Sequence, residues 1–483
     1  MTSADLDLTI AQWDDEERAA EAMVPLVGQL YRNRSVEVSV YGQLLVKRAV
    51  SDILKAHEFS RQVEDAAIHP SESLKIVELL GRMPVERAHV DVGKLATRFR
   101  SAESGLTLEA FLQAELAPAL EATKEDAPHA EQKDVVLFGF GRIGRIVARL
   151  LCDRPGSQHG ARLRAIVVRK GKGDDLEKRA SLLRFDSVHG PFKGIIDVDR
   201  ENQAMIINGQ RVQVIYADKP EAVDYAAHGI SGAVLVDNTG AWRDEEGLSR
   251  HLSSGAISQV VLTAPGKGDL KNIVHGLNQD MIAADDQIIS AASCTTNAIA
   301  PVLKAINDKY GIVSGHMETV HSYTNDQNLI DNYHGANRRG RSAPLNMVLT
   351  ETGATKAVGK ALPELVGKLT GSSVRVPTAN VSLAVLSLNL EGSPSTEELN
   401  DYLRHMAMHS ELQKQIGFSK AADAVSSDFV GMRSTGVVDG PATQTAPNRC
   451  VVYVWYDNEF GYTCQVVRIL RQLTHSTLRV FPS

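Results

Sequence analysis

Cysteine is scarce. The 483-residue chain has four, at positions 152, 294, 450 and 464, none at metal-ligand spacing and none in a disulfide framework. That excludes a zinc ribbon or a disulfide-held scaffold, and no metal site is expected. It suits a reducing cytoplasm, where a thiol persists. No apolar run approaches a membrane span, so no membrane partner is expected. The opening Met1-Thr-Ser-Ala-Asp-Leu-Asp7 is acidic and lacks the basic and apolar regions of a signal peptide, so a cytoplasmic location is expected. Excess positive charge is lacking too: residues 1–132 carry about −9, which leaves about +2 for the rest of a net −7. An acidic front argues against a nucleic-acid partner, and a near-neutral body tolerates anionic ligands. There is no internal repeat. With 43% apolar and 23% charged residues the chain is long enough to bury two or three cores.

What is present begins with Val135-Val-Leu-Phe-Gly139-Phe-Gly141-Arg142-Ile143-Gly144. An apolar strand runs into G-x-G-x-x-G, and Arg145-Ile-Val-Ala-Arg-Leu-Leu opens a helix. The first glycine permits the tight turn, the second lets backbone approach a pyrophosphate, and the third lets helix pack on strand. The helix N-terminus offers unpaired N–H donors to phosphate. The next strand, Leu163–Val168, would normally end in an acid that binds the adenosine ribose. Here it ends Arg169-Lys170-Gly171-Lys172, with Asp174 and Asp175 following. A cationic strand end suits a 2′-phosphate; a basic loop with Asp174 reaching back to the ribose is the alternative. The cofactor is therefore NAD or NADP, with NADP favoured.

The second feature is Cys294 in Ser293-Cys-Thr-Thr-Asn297, between an apolar strand pattern and the helical Ala298–Ile306, with His321 about 27 residues later. A thiol at a strand-to-helix junction feels the positive helix end, which favours thiolate. A histidine brought close can hold that thiolate as an ion pair and then act as acid or base. A lone cysteine is more often a small buried hydrophobe; the Thr-Thr-Asn that follows and the upstream fingerprint reverse that reading.

With these residues on the page, the chain resembles phosphorylating glyceraldehyde-3-phosphate dehydrogenase from about Lys133 to about Leu473. Six segments carry the resemblance: Gly139–Arg145, Ser293–Asn297, His321-Ser-Tyr-Thr-Asn-Asp-Gln327, Thr352–Lys360, Arg375-Val-Pro-Thr378 and Trp455-Tyr-Asp-Asn-Glu-Phe-Gly-Tyr462. The resemblance implies that Cys294 attacks the aldehyde, that His321 is the base, and that inorganic phosphate releases an acyl phosphate. It places Thr324 and Arg375 at the substrate's own phosphate, and Ser293, Thr295, Thr352, Gly353 and Arg339 with the attacking phosphate and the substrate. Arg142 and Ile143 match fingerprint contacts, and Thr239-Gly240 and Thr263 match strand ends near the dinucleotide. Asn458 matches the group that fixes the nicotinamide carboxamide, and Tyr462 the aromatic beside that ring. A homotetramer is implied. The nearer alternative is an erythrose-4-phosphate dehydrogenase; the more distant one is a non-catalytic regulatory protein on this scaffold. Ala379 stands where the family usually has proline.

The expected fold is α/β: a Rossmann dinucleotide-binding domain over 132–293 completed by a C-terminal helix in 463–483, and an α+β catalytic domain over 294–462. An all-helical segment over 1–125, without a family counterpart, precedes them across a polar linker near Glu121–Gln132. Its apolar faces, Val46/Val50/Ile53/Leu54 and Leu108/Phe111/Leu112/Leu116, are expected to form a core of their own. Pro70–Ser73 and Gly105–Thr107 read as helix entries, and Asp14–Glu17 as a helix start. His57, His69 and His89 are expected to be surface or structural residues. The segment is a candidate docking module for an unknown protein.

Overall fold

A computed structural model of the chain describes residues 3–64, 67–102, 105–121, 132–153, 160–350 and 352–482. Most of the expected linker therefore lies outside the described residues. The chain divides into two compact units. One comprises Met1–Gln132, Gly156–Gly160 and His475–Ser483; the other comprises Lys133–Pro155 and Ala161–Thr474.

The first unit is helix-rich but not all-helical. Helices α1 (Ser3–Arg34), α2 (Val50–Glu64), α3 (Pro70–Arg82), α4 (Val92–Ser101), α5 (Leu108–Glu115) and α6 (Ala117–Leu120) accompany strands β1 (Glu37–Val40), β2 (Gln43–Leu44) and β3 (Ala88–Asp91). The entries of α3 and α5 are as expected. Pro70 takes the first helical position with the Glu72 carboxylate accepting from the His69 N–H at 2.9 Å, and Thr107 caps Ala110 N–H at 3.3 Å. Asp14–Glu17 lies inside α1 rather than at its start. The strands correct the all-helical expectation. They hide because their polar residues face inward: Glu37, Ser39, His89 and Asp91 are buried. The Asp91 carboxylate accepts from Ser39 Oγ (2.9 Å), Tyr41 N–H (2.9 Å), Gly42 N–H (2.7 Å) and Lys94 N–H (3.0 Å), which offsets its desolvation. His57 and His89 are buried, each within hydrogen-bond distance of a serine, Ser73 at 2.9 Å and Ser39 at 2.9 Å. The sheet runs β2-β1-β3-β20, and its fourth strand, β20 (Arg479–Phe481), comes from the far end of the chain.

The second unit opens with β4 (Lys133–Phe138), α7 (Arg142–Cys152), β5 (Ala161–Val168) and α8 (Asp175–Arg184). It continues with β6 (Ile196–Asp199), β7 (Ala204–Ile207), β8 (Gln210–Tyr216), β9 (Ala233–Asp237), α9 (Glu245–Ser249), β10 (Ile257–Leu262) and β11 (Ile288–Ser290). The strands order as β11-β10-β9-β4-β5-β8-β7-β6, with β5, β4, β9, β10 and β11 parallel. Successive strands β4 and β5 go one way and β9 leaves on the other side of β4. That switch point opens a crevice beyond the carboxyl end of β4, where doubly wound sheets bind ligands. This is the expected Rossmann arrangement.

A second sheet follows. Its elements are α10 (Cys294–Tyr310), β12 (Ile312–Ser322), β13 (Val348–Thr350), α11 (Ala354–Ala361), β14 (Leu369–Val376), β15 (Ser382–Leu390), α12 (Thr396–His409), β16 (Ile416–Ser419), β17 (Gly436–Asp439), β18 (Gln444–Ala446) and β19 (Arg449–Tyr456). The main order is β13-β14-β12-β15-β19-β17-β16. Helix α13 (Phe460–Leu473) then returns: Tyr462, Val466, Ile469, Leu470 and Leu473 share a core with Val135, Leu137 and Val147 of β4 and α7. The expected return stops at Leu473. Residues from His475 onward join the first unit instead, where Arg479–Phe481 pairs as a strand rather than continuing the helix.

Candidate active site

Strand directions bring the chemistry to one edge of the second sheet. Strands β12 and β14 run parallel, with His321 opposite Arg375; β15 starts at Ser382 opposite Tyr456, where β19 ends. Thus His321, Ser322, Arg375, Ser382 and Tyr456 meet at the same edge. Helix α10 begins there, capped by Ser293 Oγ accepting from Thr296 N–H at 3.0 Å. Its first residue, Cys294, places Sγ 3.6 Å from His321 Nε2. Cys294 is partly exposed, while the other three cysteines are buried.

His321 Nδ1 lies 2.7 Å from the Ser322 carbonyl and 2.7 Å from Arg375 Nη1, which also donates to that carbonyl at 2.9 Å. Nδ1 cannot donate to one and accept from the other. We assign the proton to Nδ1, donated to Ser322 O, because arginine already has that acceptor; Nε2 then faces the thiol with its lone pair. Burial, reinforced by the Arg375 charge, pushes His321 down to about 3. Burial pushes the Cys294 thiol up, against Arg375 and hydrogen bonding from Thr295 and the backbone. Both shifts run against the ion pair expected from the helix end, with burial the largest cause of each.

Around this pair, Thr295 Oγ1 lies 3.0 Å from Tyr456 OH, which donates to Thr319 Oγ1 at 3.3 Å; the tyrosine ring meets the His321 ring edge-on at 6.0 Å. Tyr456 was given no role by sequence reasoning. Its position before Asp457-Asn458 in the quoted motif was the only signal. Asn458 is buried, and Ser322 and Ser382 hydroxyls donate to its Oδ1 at 2.9 and 3.0 Å. The two bonds fix the orientation of the amide. Tyr462 is fixed by its hydroxyl donating to Ala292 O at 3.1 Å, and it is buried in the core shared with α7.

Of the expected anion groups, Thr324 and Arg339 converge on one carboxylate: both donate to Asp326. The Arg339 and Arg375 charges and the Thr324 hydrogen bond hold that acid low against its burial. Sequence reasoning gave Asp326 no part. Thr352-Gly353 precedes α11, with Thr352 Oγ1 accepting from Ala354 N–H at 3.2 Å.

The dinucleotide side fits its expected occupant. Gly139 has φ +91°, and a Cβ there would meet Thr239 Cγ2 at 2.9 Å. At Gly144 it would meet the Gly139 carbonyl at 2.6 Å, whereas Gly141, the N-cap of α7, has open space on that side for a pyrophosphate to approach. Ile143 packs on the β4 core. The Arg142 guanidinium is engaged with two carboxylates, Asp186 at 3.1 Å and Glu459 at 2.6 Å. Thr239 and Thr263 stand at the ends of β9 and β10, both bonded to Asp237. Arg169 and Lys170 are exposed at the end of β5. Both substitute acids are engaged: Asp174 caps α8 and pairs with Arg200 at 2.9 Å, and Asp175 pairs with Arg179 at 2.7 Å.

Comparison with known proteins agrees with this geometry. The model for the glyceraldehyde 3-phosphate dehydrogenase NAD-binding domain matches residues 133–245, and that for the C-terminal domain matches 293–458. A glyceraldehyde-3-phosphate dehydrogenase-like protein of Pseudomonas aeruginosa (strain UCBPP-PA14) is 58% identical over 95% of this chain and 100% of its own length. Such coverage has to include most of residues 1–132, so the extension has a counterpart after all. Glyceraldehyde-3-phosphate dehydrogenase 1 of Bacillus subtilis (strain 168) is 39% identical over 69% of this chain and 96% of its own length. A plasmid-borne glyceraldehyde-3-phosphate dehydrogenase of Cupriavidus necator is 39% identical over 71% of this chain and 98% of its own. The chain therefore belongs to the glyceraldehyde-3-phosphate dehydrogenase family, as an oxidoreductase with a nicotinamide dinucleotide-binding domain.

Proposed function

We propose that the protein catalyses the reversible oxidative phosphorylation of D-glyceraldehyde 3-phosphate to 1,3-bisphosphoglycerate, with NADP used at least as well as NAD. The observation that carries this reading is Cys294 Sγ at 3.6 Å from His321 Nε2, with Arg375 beside the pair. The thiol adds to the aldehyde carbon, with His321 Nε2 receiving the sulfur's proton and returning it to the carbonyl oxygen. His321 then removes the hydroxyl proton of the thiohemiacetal as the carbon is oxidised to a thioester. A nicotinamide dinucleotide held at the N-terminus of α7, with Asn458 and Tyr462 beside its ring, would supply the hydride acceptor for that oxidation. Inorganic phosphate attacks the thioester carbon and displaces the Cys294 thiolate, which regains a proton from His321.

Arginine forks and hydroxyls are what two phosphates require. Arg375 and Thr324 serve the substrate phosphate in this scheme; Arg339, Ser293, Thr295, Thr352 and Gly353 serve the attacking phosphate and the substrate. Asp326 occupies the Arg339 guanidinium until an anion replaces it. The exposed cations Arg169 and Lys170, with Asp174 and Asp175 already paired, support NADP. Leu329, Ile330, Tyr333, Leu345 and Met347 are exposed between β12 and β13, which supports burial against further copies in a homotetramer. Steady-state rates with both cofactors, with glyceraldehyde 3-phosphate and erythrose 4-phosphate, and with or without inorganic phosphate test the reading. Turnover that needs phosphate and prefers the triose supports it; preference for the tetrose, or indifference to phosphate, contradicts it.

A further inference from the structure

Resting on the role proposed for Asn458 beside the nicotinamide, we infer that its neighbour Glu459 is a positioning residue for the dinucleotide. Through Arg142 it fixes the Asn458 amide relative to the turn at the head of α7. The two adjacent residues are tied to different sheets. Asn458 Oδ1 accepts from the Ser322 and Ser382 hydroxyls at 2.9 and 3.0 Å, at the catalytic edge of the second sheet. The Glu459 carboxylate instead meets the fork of Arg142, the first residue of α7. Its Oε1 accepts from Nε, and its Oε2 accepts from Nη2 at 2.6 Å, across 317 positions of sequence.

This pair belongs to a closed ring of groups. The same guanidinium donates to both oxygens of Asp186, each at 3.1 Å. Asp186 Oδ1 also accepts from the Val188 and His189 N–H groups, both at 2.9 Å. The His189 side chain completes the circuit, with Nε2 at 3.0 Å from Glu459 Oε2. The Asp186, His189 and Glu459 side chains are 7%, 5% and 12% exposed. Against burial, the two N–H groups and Arg142 hold Asp186 down to about 2, and His189 and Arg142 hold Glu459 low. Two carboxylates therefore stay charged on one guanidinium at neutral pH, in a fork geometry that lysine does not reproduce.

Desolvation makes such a cluster a weak source of stability. Its placement gives it another use. Tyr462, Val466 and Ile469 hold α13 on the core shared with α7, but that packing begins after the Asn458 turn. Asp457 stiffens the turn by accepting from the Glu459 and Phe460 N–H groups at 2.9 and 2.7 Å. With one residue on each sheet, the stiff turn sets the spacing between the pyrophosphate turn and the nicotinamide end, where small misplacements are costly.

ADP-ribose carries the adenosine and the pyrophosphate but no nicotinamide, so it separates positioning from general damage. Titration calorimetry compares NAD with ADP-ribose, and NADP with 2′-phospho-ADP-ribose, on the full chain and on Glu459→Gln. The variant should bind both dinucleotides about tenfold more weakly, the weight of one hydrogen bond to a charged group. It should bind both nicotinamide-free ligands within about twofold of the unmodified chain, since their contacts lie at the α7 end. Arg142→Lys keeps the charge and loses the fork, so it should show the same selective loss; it decides alone if Glu459→Gln does not fold. Equal loss for a dinucleotide and its nicotinamide-free counterpart, or no loss at all, would overturn the assignment. Asn458→Ala isolates the underlying reading. Selective loss in that variant without one in Glu459→Gln overturns the role of Glu459 and leaves that of Asn458; selective loss in neither overturns both.

Discussion

At both Cys294 and His321 burial disfavours the charged form, and this sets how the site answers to pH. With the thiol pushed up by burial, its thiolate fraction keeps growing with pH through neutrality and beyond. Iodoacetamide should therefore label Cys294 before the three buried cysteines, at a rate that climbs steadily from pH 7 to pH 9. A plateau reached below neutrality would restore the ion pair. The histidines act on stability in a defined direction. His321 and His275 are both pushed down to about 3 from an ordinary 6.5, chiefly by burial. Below about 6.5 the unfolded chain takes up protons that the folded chain refuses, so their contribution is intact above that pH and is lost as pH falls toward 3. The urea midpoint should accordingly drop between pH 7 and pH 5; an unchanged midpoint would count against burial of these rings. In catalysis, Cys294→Ser should abolish turnover, and His321→Asn should lower kcat by about 10²–10⁴-fold, the weight of a positioned general base. Near-normal turnover of the serine variant would remove Cys294 from the mechanism.

At the level of elements, the proposed cofactor preference rests on the end of β5. Arg169→Asp replaces a cation with the acid that a ribose hydroxyl requires, so preference should move toward NAD, read as the ratio of kcat/KM for the two cofactors. An unmodified protein strictly specific for NAD would refute the charge argument. The β4–α7 junction and the head of α10 were legible in the sequence because their constraints are local: a glycine with positive φ, a glycine against a carbonyl, a serine cap. The edge where His321, Arg375 and Tyr456 meet was reachable only through the resemblance, since it depends on pairing between strands far apart in the chain. Strands β1 and β3 escaped notice because Glu37, Ser39, His89 and Asp91 are buried in a polar network, which no hydrophobic pattern reports. The short β20 was absorbed into an expected terminal helix for want of a visible partner.

For the whole molecule, the first unit is not a product of residues 1–125 alone, because its sheet takes a strand from 479–481. A fragment of residues 1–125 should melt several degrees below the same fragment joined by a flexible linker to residues 475–482, since burying Phe481 contributes about 1.5–3 kcal/mol. Equal midpoints would mean that the fourth strand adds nothing. The dehydrogenase chemistry resides in the other unit, and its central claim is a thioester at Cys294. The most direct measurement mixes the full chain with glyceraldehyde 3-phosphate and NADP in the absence of inorganic phosphate, then maps the product by peptide mass spectrometry. The account predicts one phosphoglyceroyl group on the Cys294 peptide, discharged as acyl phosphate when phosphate is added. No adduct, an adduct on another residue, or one that phosphate leaves in place would contradict it.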